Sequence, residues 1–278
     1  MHDVSDFPAR APAAGEPLLQ VSGLRKSYRD RARKERRTVI DQLDFTIGRG
    51  EIVGLVGESG SGKSTVGRIV AGLQYADAGD ITLAGVRYPT AVDDGVPALD
   101  KVTRRAVQLV FQDPYSSLNP RRTVSRSLAE PLLAQGVDRA QIAARVTEAA
   151  DAARLPAILL DRHPAELSGG QRQRVAIARA LVLSPQLIVA DEALSSLDVT
   201  TQAEILDLIA RLVDEQQTAF LFITHDLGVV SSIAQRVIVL GPDGVEETGD
   251  TAQVFTAPQS AYTRTLLDAV PRVKARAS

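Results

Sequence analysis

The sequence predicts an α/β protein built around a parallel sheet, and three features support this fold class. A short apolar strand, Glu51 to Val56, runs into a glycine-rich loop that opens a helix. Two further apolar runs, Leu187 to Ala190 and Phe220 to Thr224, each follow a helical segment. Such runs suit strands that are buried on both faces of a parallel sheet. Ser125 to Arg154 is helical in pattern and rich in Ala, Leu and charges, which indicates an all-helical insert.

Composition narrows the class of protein. The chain has 278 residues and a net charge of −2, so no global field drives it onto nucleic acid or an anionic membrane. It contains no cysteine, which excludes disulfides, thiolate metal sites, iron–sulfur clusters and cysteine nucleophiles. It has no uninterrupted apolar stretch of about 18 residues, and its first residues lack the features of a signal peptide. We therefore expect a cytoplasmic protein.

The first part of the chain predicts a tail and two strands. Residues 1–17 are rich in Ala, Pro and acidic groups and predict a disordered tail. Leu18 to Tyr28 predicts a strand followed by a turn, and Val39 to Ile47 alternates like a half-buried strand. Residues 25–37 carry eight Arg or Lys against two acids. A solvated hairpin loop is the favoured interpretation of this basic segment, with a lipid or nucleic-acid contact as the alternative.

The remaining elements follow in order along the chain. Thr65 to Leu73 continues the glycine loop as a helix. Further strands are predicted at Ile81 to Leu83, Val107 to Phe111 and Arg236 to Leu240, with a loop at Pro89 to Pro97, a turn at Gly241-Pro242-Asp243-Gly244 and a short helix at Tyr262 to Asp268.

The glycine loop fits the phosphate-binding pattern G-x-x-x-x-G-K-[ST] without a mismatch. Its glycines allow consecutive amides to turn toward one phosphate chain, Lys63 can reach the β and γ oxygens, and Ser64 can ligate magnesium. The strand before it and the helix after it are the context that this motif requires. The predicted phosphate site is Gly57, Glu58, Ser59, Gly60, Ser61, Gly62, Lys63, Ser64 and Thr65.

Two acids, Asp191 and Glu192, stand at the carboxyl end of an apolar strand. Burying two neighbouring carboxylates at a strand end costs folding free energy, so such a pair is expected where it binds a cation or takes part in a reaction. We expect Asp191 to hold Mg²⁺, directly or through water, and Glu192 to polarise the attacking water as a base or positioning group.

Three other side chains are candidates for the same site. Gln112 follows the strand Val107 to Phe111, and its amide can reach the metal or the attacking water; alone, a surface glutamine would be the plainer interpretation. His225 stands at the end of a core strand, where open α/β sheets bind nucleotides, and is expected to contact the γ-phosphate. Tyr28 is expected to stack on the adenine ring of a bound nucleotide, and the alternative is a half-buried aromatic residue without a binding role.

A second phosphate-facing segment lies at Leu167-Ser168-Gly169-Gly170-Gln171. Ser168 is a good N-cap, and the run after it has the periodicity of an amphipathic helix. Free backbone amides and the positive end of a helix dipole suit a phosphate. A chain with a complete phosphate loop does not need this second site for its own nucleotide.

Six features, in this order along the chain, resemble those of the nucleotide-binding subunit of an ABC transporter. They are the phosphate loop, Gln112, the segment Leu167 to Gln171, the strand ending at Asp191-Glu192, Ser195-Ser196-Leu197-Asp198 and His225. The resemblance runs from about Leu18 to about Thr248. It implies a RecA-like α/β core over residues 18–250, with a helical subdomain at about 115–166 and a small antiparallel β lobe. Residues 251–278 are then a C-terminal extension.

The resemblance also implies how such a subunit works. ATP with Mg²⁺ is the nucleotide, and two subunits sandwich it head to tail, so that Ser168, Gly169, Gly170 and Gln171 act in trans. The implied partners are a second ATPase subunit, identical or different, two membrane permeases and, through them, an extracytoplasmic solute-binding protein, with no nucleic acid. The implied place is the cytoplasmic face of the inner membrane, as a peripheral subunit.

Four segments are similar to the oligopeptide/dipeptide/nickel importer branch: Gly54 to Arg68, Val110 to Arg121, Ser168 to Leu181 and Ala261 to Pro271. The second of these looks more like the second ATPase subunit of that branch. Departures include Ala193 where the family usually has proline, and the absence of the cysteine cluster that some members carry. Peptides are the favoured substrate, with nickel or another small solute, an exporter, or a soluble ATPase acting on DNA or ribosomes as alternatives.

Overall fold

The structure of the chain is a computed structural model that describes residues 16–29, 36–88, 99–242 and 244–269. Three predictions lie wholly or largely outside these residues: the disordered tail, the loop Pro89 to Pro97 and the centre of the basic segment.

The described residues form strands and helices in the following order. The strands are β1 (Leu19–Arg29), β2 (Arg36–Ile47), β3 (Ile52–Val56), β4 (Ala78–Leu83), β5 (Val86–Tyr88), β6 (Val107–Val110), β7 (Leu187–Asp191), β8 (Ala219–Ile223), β9 (Arg236–Gly241) and β10 (Gly244–Asp250). The helices are α1 (Lys63–Val70), α2 (Lys101–Ala106), α3 (Pro114–Ser117), α4 (Val124–Gln135), α5 (Arg139–Ala152), α6 (Gly169–Leu181), α7 (Val199–Gln216), α8 (Leu227–Ile233), α9 (Thr251–Thr256) and α10 (Ala261–Asp268).

A six-stranded sheet in the order β10-β9-β3-β8-β7-β6 forms the centre of the fold. Its strands β9, β3, β8, β7 and β6 are parallel, and β10 is an antiparallel edge strand. The apolar runs that predicted buried strands are β3, β7 and β8, and each is buried along its whole length. In β8, Phe220 and Phe222 face one core and Leu221 and Ile223 the other. Their alternation shows that both faces of the sheet are covered.

A second sheet, antiparallel in the order β2-β1-β4-β5, packs on one side of the central sheet. The first strand, predicted within Leu18 to Tyr28, is β1, and the turn predicted after it falls at residues outside the described part of the chain. Within β1, Gly23 has φ +59° and lies at a β-bulge, and its N–H donates to Asp44 Oδ1 at 2.7 Å. A glycine in the left-handed region relieves the strain of a bulge, so the strand bends without ending.

The far end of β1 is fixed by a buried cation. Lys26 is 3% exposed, its Nζ lies 3.3 Å from Asp77 Oδ1, and it stacks 3.6 Å from the centroid of the Tyr75 ring. Burial raises the pKa of Asp77, but the Ser27 N–H and the Lys26 ammonium more than offset this and hold that pKa below its ordinary value. This ion pair therefore anchors the end of β1, next to Tyr28.

The predicted helical insert consists of α4 and α5, which pack on α6. Its single helical pattern is interrupted at Gly136, which has φ +78° and ends α4, and Asp138 then caps α5. Both helices bury apolar residues, including Leu128, Leu132 and Val146, in the core on the side of the central sheet opposite β1.

Several short elements escape the sequence prediction. These are β5, β10, α2, α3, α8 and α9, of three to seven residues. The turn predicted at Gly241 to Gly244 is a tight connection between β9 and β10, whose residue Asp243 is outside the described part of the chain. Among the described residues, no helix is long and apolar enough to cross a bilayer.

Candidate active site

The phosphate-loop pattern forms a tight loop between β3 and α1, and two of its glycines are required by close contacts. A Cβ on Gly57 (φ +150°) would lie 2.0 Å from the Leu240 carbonyl oxygen. A Cβ on Gly62 (φ +101°) would lie 2.9 Å from Val39 Cγ1. At these two positions the loop therefore lies against β9 and β2 with no room for a larger residue.

Lys63 begins α1 and folds back across the loop. Its Nζ donates to the carbonyl oxygens of Gly57 at 2.8 Å and Glu58 at 2.7 Å, and only 5% of the residue is exposed. Burial lowers the pKa of this ammonium, whereas the carboxylates of Glu192 and Asp191 oppose the shift. The loop thus holds a partly desolvated cation, which interacts strongly with an incoming anion.

Ser64 and Asp191 meet beside this cation. Ser64 Oγ donates to Asp191 Oδ1 at 2.9 Å, although 127 residues separate them in the chain. Burial at the end of β7 raises the pKa of Asp191, and the Ser64 hydrogen bond acts in the opposite direction. A hydroxyl and a carboxylate oxygen are ligands that Mg²⁺ uses together with water and substrate phosphates. The pair therefore fits this ion.

Glu192 connects the ends of two neighbouring strands. Its backbone lies in the left-handed region (φ +48°), and its N–H donates to the Ile223 carbonyl of β8 at 2.8 Å. A non-glycine residue there costs about 1–3 kcal/mol and is typical of active sites. In the Glu192 carboxylate, Oε1 lies 3.2 Å from His225 Nδ1, and Oε2 accepts a hydrogen bond from Gln112 Nε2 at 3.5 Å. The three side chains predicted to act together therefore lie together.

Ser195 is a member of this cluster whose individual role the sequence did not indicate. Its Oγ donates to the Glu192 carbonyl oxygen at 3.0 Å and lies 3.4 Å from Gln112 Nε2. The signal available in the sequence was its position three residues after Glu192, in the motif Ser195 to Asp198. The hydroxyl helps to hold the turn that carries the carboxylate.

A cavity of about 190 Å³ joins the phosphate loop to the carboxylate. Its lining is Val39, Ser59, Gly60, Gly62, Lys63, Ser64, Thr65 and Glu192. A cavity lined by loop amides, a cation and one acid suits a chain of phosphates next to an activated water.

Tyr28 lies at the edge of this cavity. Its hydroxyl lies 3.2 Å from Thr65 Oγ1 and accepts from Gln74 Nε2 at 2.5 Å. The residue is 41% exposed, which leaves an aromatic surface open beside the loop. The geometry is compatible with stacking on a base.

The segment Leu167 to Gln171 adopts the predicted cap. Ser168 Oγ accepts from the Gln171 N–H at 3.2 Å, and Gln171 Oε1 accepts from the Ser168 N–H at 2.9 Å. This capping box starts α6 and leaves the Gly169 and Gly170 amides at the positive end of the helix. Among the described residues, those that line the phosphate cavity do not include this segment.

A larger groove of about 420 Å³ lies where the helical insert meets β6 and α6. Its lining residues include Leu73, Arg104, Gln108, Leu109, Phe111, Glu130, Ala134, Arg179 and Leu183. Phe111, next to Gln112, is 41% exposed. The groove is therefore an apolar surface with charged edges, one residue away from the active-site glutamine.

The parallel sheet, the loop that opens α1 and the carboxylates at the ends of β7 define a phosphate-loop nucleoside triphosphatase. Residues 40–195 match the sequence model of the ABC transporter family, and the chain belongs to that family. The predicted RecA-like ABC ATPase fold and the predicted ATP hydrolase activity are thereby confirmed.

Similar proteins within the family are named as import ATP-binding proteins. A Brucella abortus (strain 2308) protein provisionally named a peptide import ATP-binding protein is 46% identical over 236 residues, or 84% of this chain and 70% of that protein. The glutathione import ATP-binding protein of Pectobacterium atrosepticum is 45% identical over 266 residues, 94% of this chain but 42% of that longer protein. The prediction of an ABC importer ATP-binding subunit is confirmed.

Solved structures are similar in fold. The ATP-binding cassette MJ0796, as a post-hydrolysis dimer bound to ADP and Pi, is 30% identical with a TM-score of 0.72 and covers 84% of this chain and 99% of its own. The cbiO1 protein of Clostridium perfringens, part of the cbiONQ transporter complex, is 25% identical with a TM-score of 0.74 and covers 87% of this chain and 92% of its own.

Proposed function

We propose that this chain hydrolyses ATP to power the import of peptides. The observation that carries the proposal is the convergence of Lys63, Asp191, Glu192 and His225 on the end of one parallel sheet, around the phosphate loop. Peptides are the favoured cargo because the relatives at 43–46% identity are named for the import of peptides or of glutathione, itself a tripeptide.

The loop binds the nucleotide through several groups. The amides of Gly57 to Thr65 surround the phosphates, and the Lys63 ammonium exchanges its contacts with two backbone carbonyls for the β and γ oxygens. Tyr28 stacks on the adenine. Ser64 and Asp191, with the amide of Gln112, hold Mg²⁺, which neutralises charge on the phosphates when it is bound.

Hydrolysis requires a positioned water. Glu192 accepts a proton from that water or orients it, and His225 fixes the Glu192 carboxylate while facing the γ-phosphate. Since the leaving group is already good, the protein supplies position and charge stabilisation.

The segment Ser168 to Gln171 completes the site of a neighbouring subunit. A capped helix end with two glycines offers amides to an anion, and the cavity of its own chain is lined by other residues. The dimeric MJ0796 cassette supports the pairing of two such subunits. In the head-to-tail pair that we propose, each ATP contacts the loop of one subunit and this segment of the other.

The groove beside the helical insert is the proposed docking surface for a permease. It is apolar, is edged by Arg104 and Glu130, and adjoins Gln112. A membrane subunit docked there shifts together with Gln112 and Glu192 as the two ATPase subunits close and open. On this proposal residues 115–166 act as a helical subdomain of a peripheral subunit at the cytoplasmic face of the membrane, and the permeases bring a solute-binding protein.

The test uses the assembled complex from the native membrane, purified through a tag on this chain. Mass spectrometry should find two permeases and the partner ATPase, and peptides with the binding protein should stimulate ATP hydrolysis in vesicles. In the same complex, Lys63→Ala should lose at least about 100-fold in hydrolysis, because the phosphates lose their main cation. Near-wild-type activity in Lys63→Ala would overturn the proposed site.

A further inference from the structure

Gln74 holds the hydroxyl of the tyrosine that is predicted to stack on the base. It lies four residues beyond the end of α1, and its Nε2 donates to the Tyr28 hydroxyl at 2.5 Å across 46 residues of sequence. A phenol has a single proton, and because this one accepts from Gln74, its proton can go to Thr65 Oγ1, which lies 3.2 Å away. Thr65 belongs to the phosphate loop and lines its cavity. The three side chains therefore form a hydrogen-bonded chain that ends at the phosphate loop.

The ring of Tyr28 is also supported by the buried cation of β1. Lys26 Nζ lies over this ring, 5.6 Å from its centroid, and only 3% of Lys26 is exposed. Two residues that come just after Gln74 hold the cation, since its Nζ lies 3.6 Å from the Tyr75 ring centroid and 3.3 Å from Asp77 Oδ1. Lys26 thus occupies one side of the Tyr28 ring, and the exposed part of the ring is left for a base.

Residues 74–77 therefore preorganise Tyr28 for binding. The tyrosine is the second-last residue of β1 and is 41% exposed, so without these contacts its side chain would be free to change rotamer. Ordering such a side chain when a ligand binds lowers the affinity for that ligand. Because Gln74 holds the hydroxyl in the folded chain, most of this entropy is lost on folding and not on binding.

We propose that Gln74 is a positioning residue for base stacking: through the Tyr28 hydroxyl it holds the aromatic ring beside the phosphate loop and thereby raises the affinity for the base of the nucleotide. Its contribution depends on the base, since the phosphates bind to Lys63 and the loop amides. This inference rests on the proposed ATP site, in which Tyr28 stacks on adenine.

The test separates the base from the phosphates with two probes, ATP and inorganic tripolyphosphate, which has no base. Isothermal titration calorimetry with Mg²⁺ measures the dissociation constant of each probe for the full chain as wild type, Gln74→Leu, Tyr28→Phe and the double variant. Gln259→Leu is the matched control, because Gln259 Nε2 also donates one hydrogen bond, to the Ala257 carbonyl at 3.0 Å, in the connection between α9 and α10.

Gln74→Leu should raise the dissociation constant of ATP by about three- to tenfold, as expected for one lost hydrogen bond, and leave that of tripolyphosphate within about twofold. Tyr28→Phe should show the same difference between the probes. The double variant should bind ATP about as tightly as Tyr28→Phe, because both substitutions remove the same contact. Gln259→Leu should bind both probes like the wild type.

Three results would overturn the inference: wild-type affinity for ATP in Gln74→Leu, an equal loss of affinity for both probes, or additive losses in the double variant. If the wild-type chain binds neither probe, the proposed ATP site itself fails, and the inference fails with it.

Discussion

His225 Nδ1 lies 3.2 Å from Glu192 Oε1. Glu192 directly follows β7, and His225 comes two residues after the end of the adjacent parallel strand β8. The contact spans 33 residues of sequence. It exists because strands that run parallel end at the same edge of the sheet. The strained backbone of Glu192 turns its carboxylate toward the imidazole.

The contact predicts a role for His225 in hydrolysis but not in binding. His225→Ala should reduce ATP hydrolysis by about 100-fold or more, because the carboxylate and the γ-phosphate both lose a fixed partner. Binding of ATP to the isolated chain should stay within about threefold of wild type.

His163→Ala is the matched control, since His163 Nδ1 lies 3.5 Å from the Glu166 carboxylate outside the site. The steady-state rate of ATP hydrolysis is measured for both variants and for the wild type. Equal losses in the two variants would show that His225 acts only through general stability.

Glu192→Gln should bind ATP and fail to hydrolyse it. The amide keeps the size of the side chain and still reaches Gln112 and His225, but it cannot take a proton from water. If this chain pairs with itself, ATP should then trap a dimer visible by size-exclusion chromatography. If the chain pairs only with a different subunit, the trapped species is the complex. Normal turnover in the variant would exclude Glu192 as the catalytic carboxylate.

Asp191→Asn should stabilise the nucleotide-free chain while weakening its response to Mg-ATP. Burial raises the folded-state pKa of Asp191, so the folded chain binds more protons than the unfolded chain above pH 3.8. Stability contributed by this group therefore falls as pH rises through that window and stays low at neutral pH. Asn removes the buried charge and still accepts the Ser64 hydrogen bond.

We expect the melting temperature at pH 7 to rise by about 2 °C in Asp191→Asn, and this gain to shrink as the pH is lowered toward 4. Mg-ATP should raise the melting temperature of wild type but raise that of the variant much less. Scanning fluorimetry across pH measures both effects. A variant less stable than wild type at pH 7 would contradict the assignment of a functional, destabilising carboxylate.

The core of the fold was predictable because its signals are local and strong. The strands β3, β7 and β8 are apolar along their length, and the phosphate loop is a single continuous pattern. The edge strand β10 (GVEETGD) is polar and only partly buried, so it carries no apolar run. Its pairing with β9 decides its structure, and that pairing is not visible in the sequence.

The candidate site also has a part that local motifs predict and a part that depends on long-range contacts. Lys63, Ser64 and Asp191 were indicated by motifs, and the structure brings them together. The contact between Ser195 and Gln112 has no motif of its own, because it joins residues 83 positions apart in the sequence.

On the proposed function, this chain holds one complementary half of each of two ATP sites. Ser168→Arg is the sharpest test of this proposal, because Ser168 is exposed and caps the N-terminal end of α6, which we propose contacts the nucleotide of the neighbouring subunit. Asp138→Arg is the control, since it removes an exposed N-cap of α5 outside the site. Losing such a cap costs about 1 kcal/mol.

The decisive measurement is ATP binding by the isolated subunit together with hydrolysis by the assembled complex. We expect the Ser168→Arg subunit to bind ATP as tightly as the wild-type and Asp138→Arg subunits, while hydrolysis in the complex falls below about 1% of the wild-type rate. Loss of ATP binding in the isolated Ser168→Arg subunit, or wild-type hydrolysis in the complex, would contradict it.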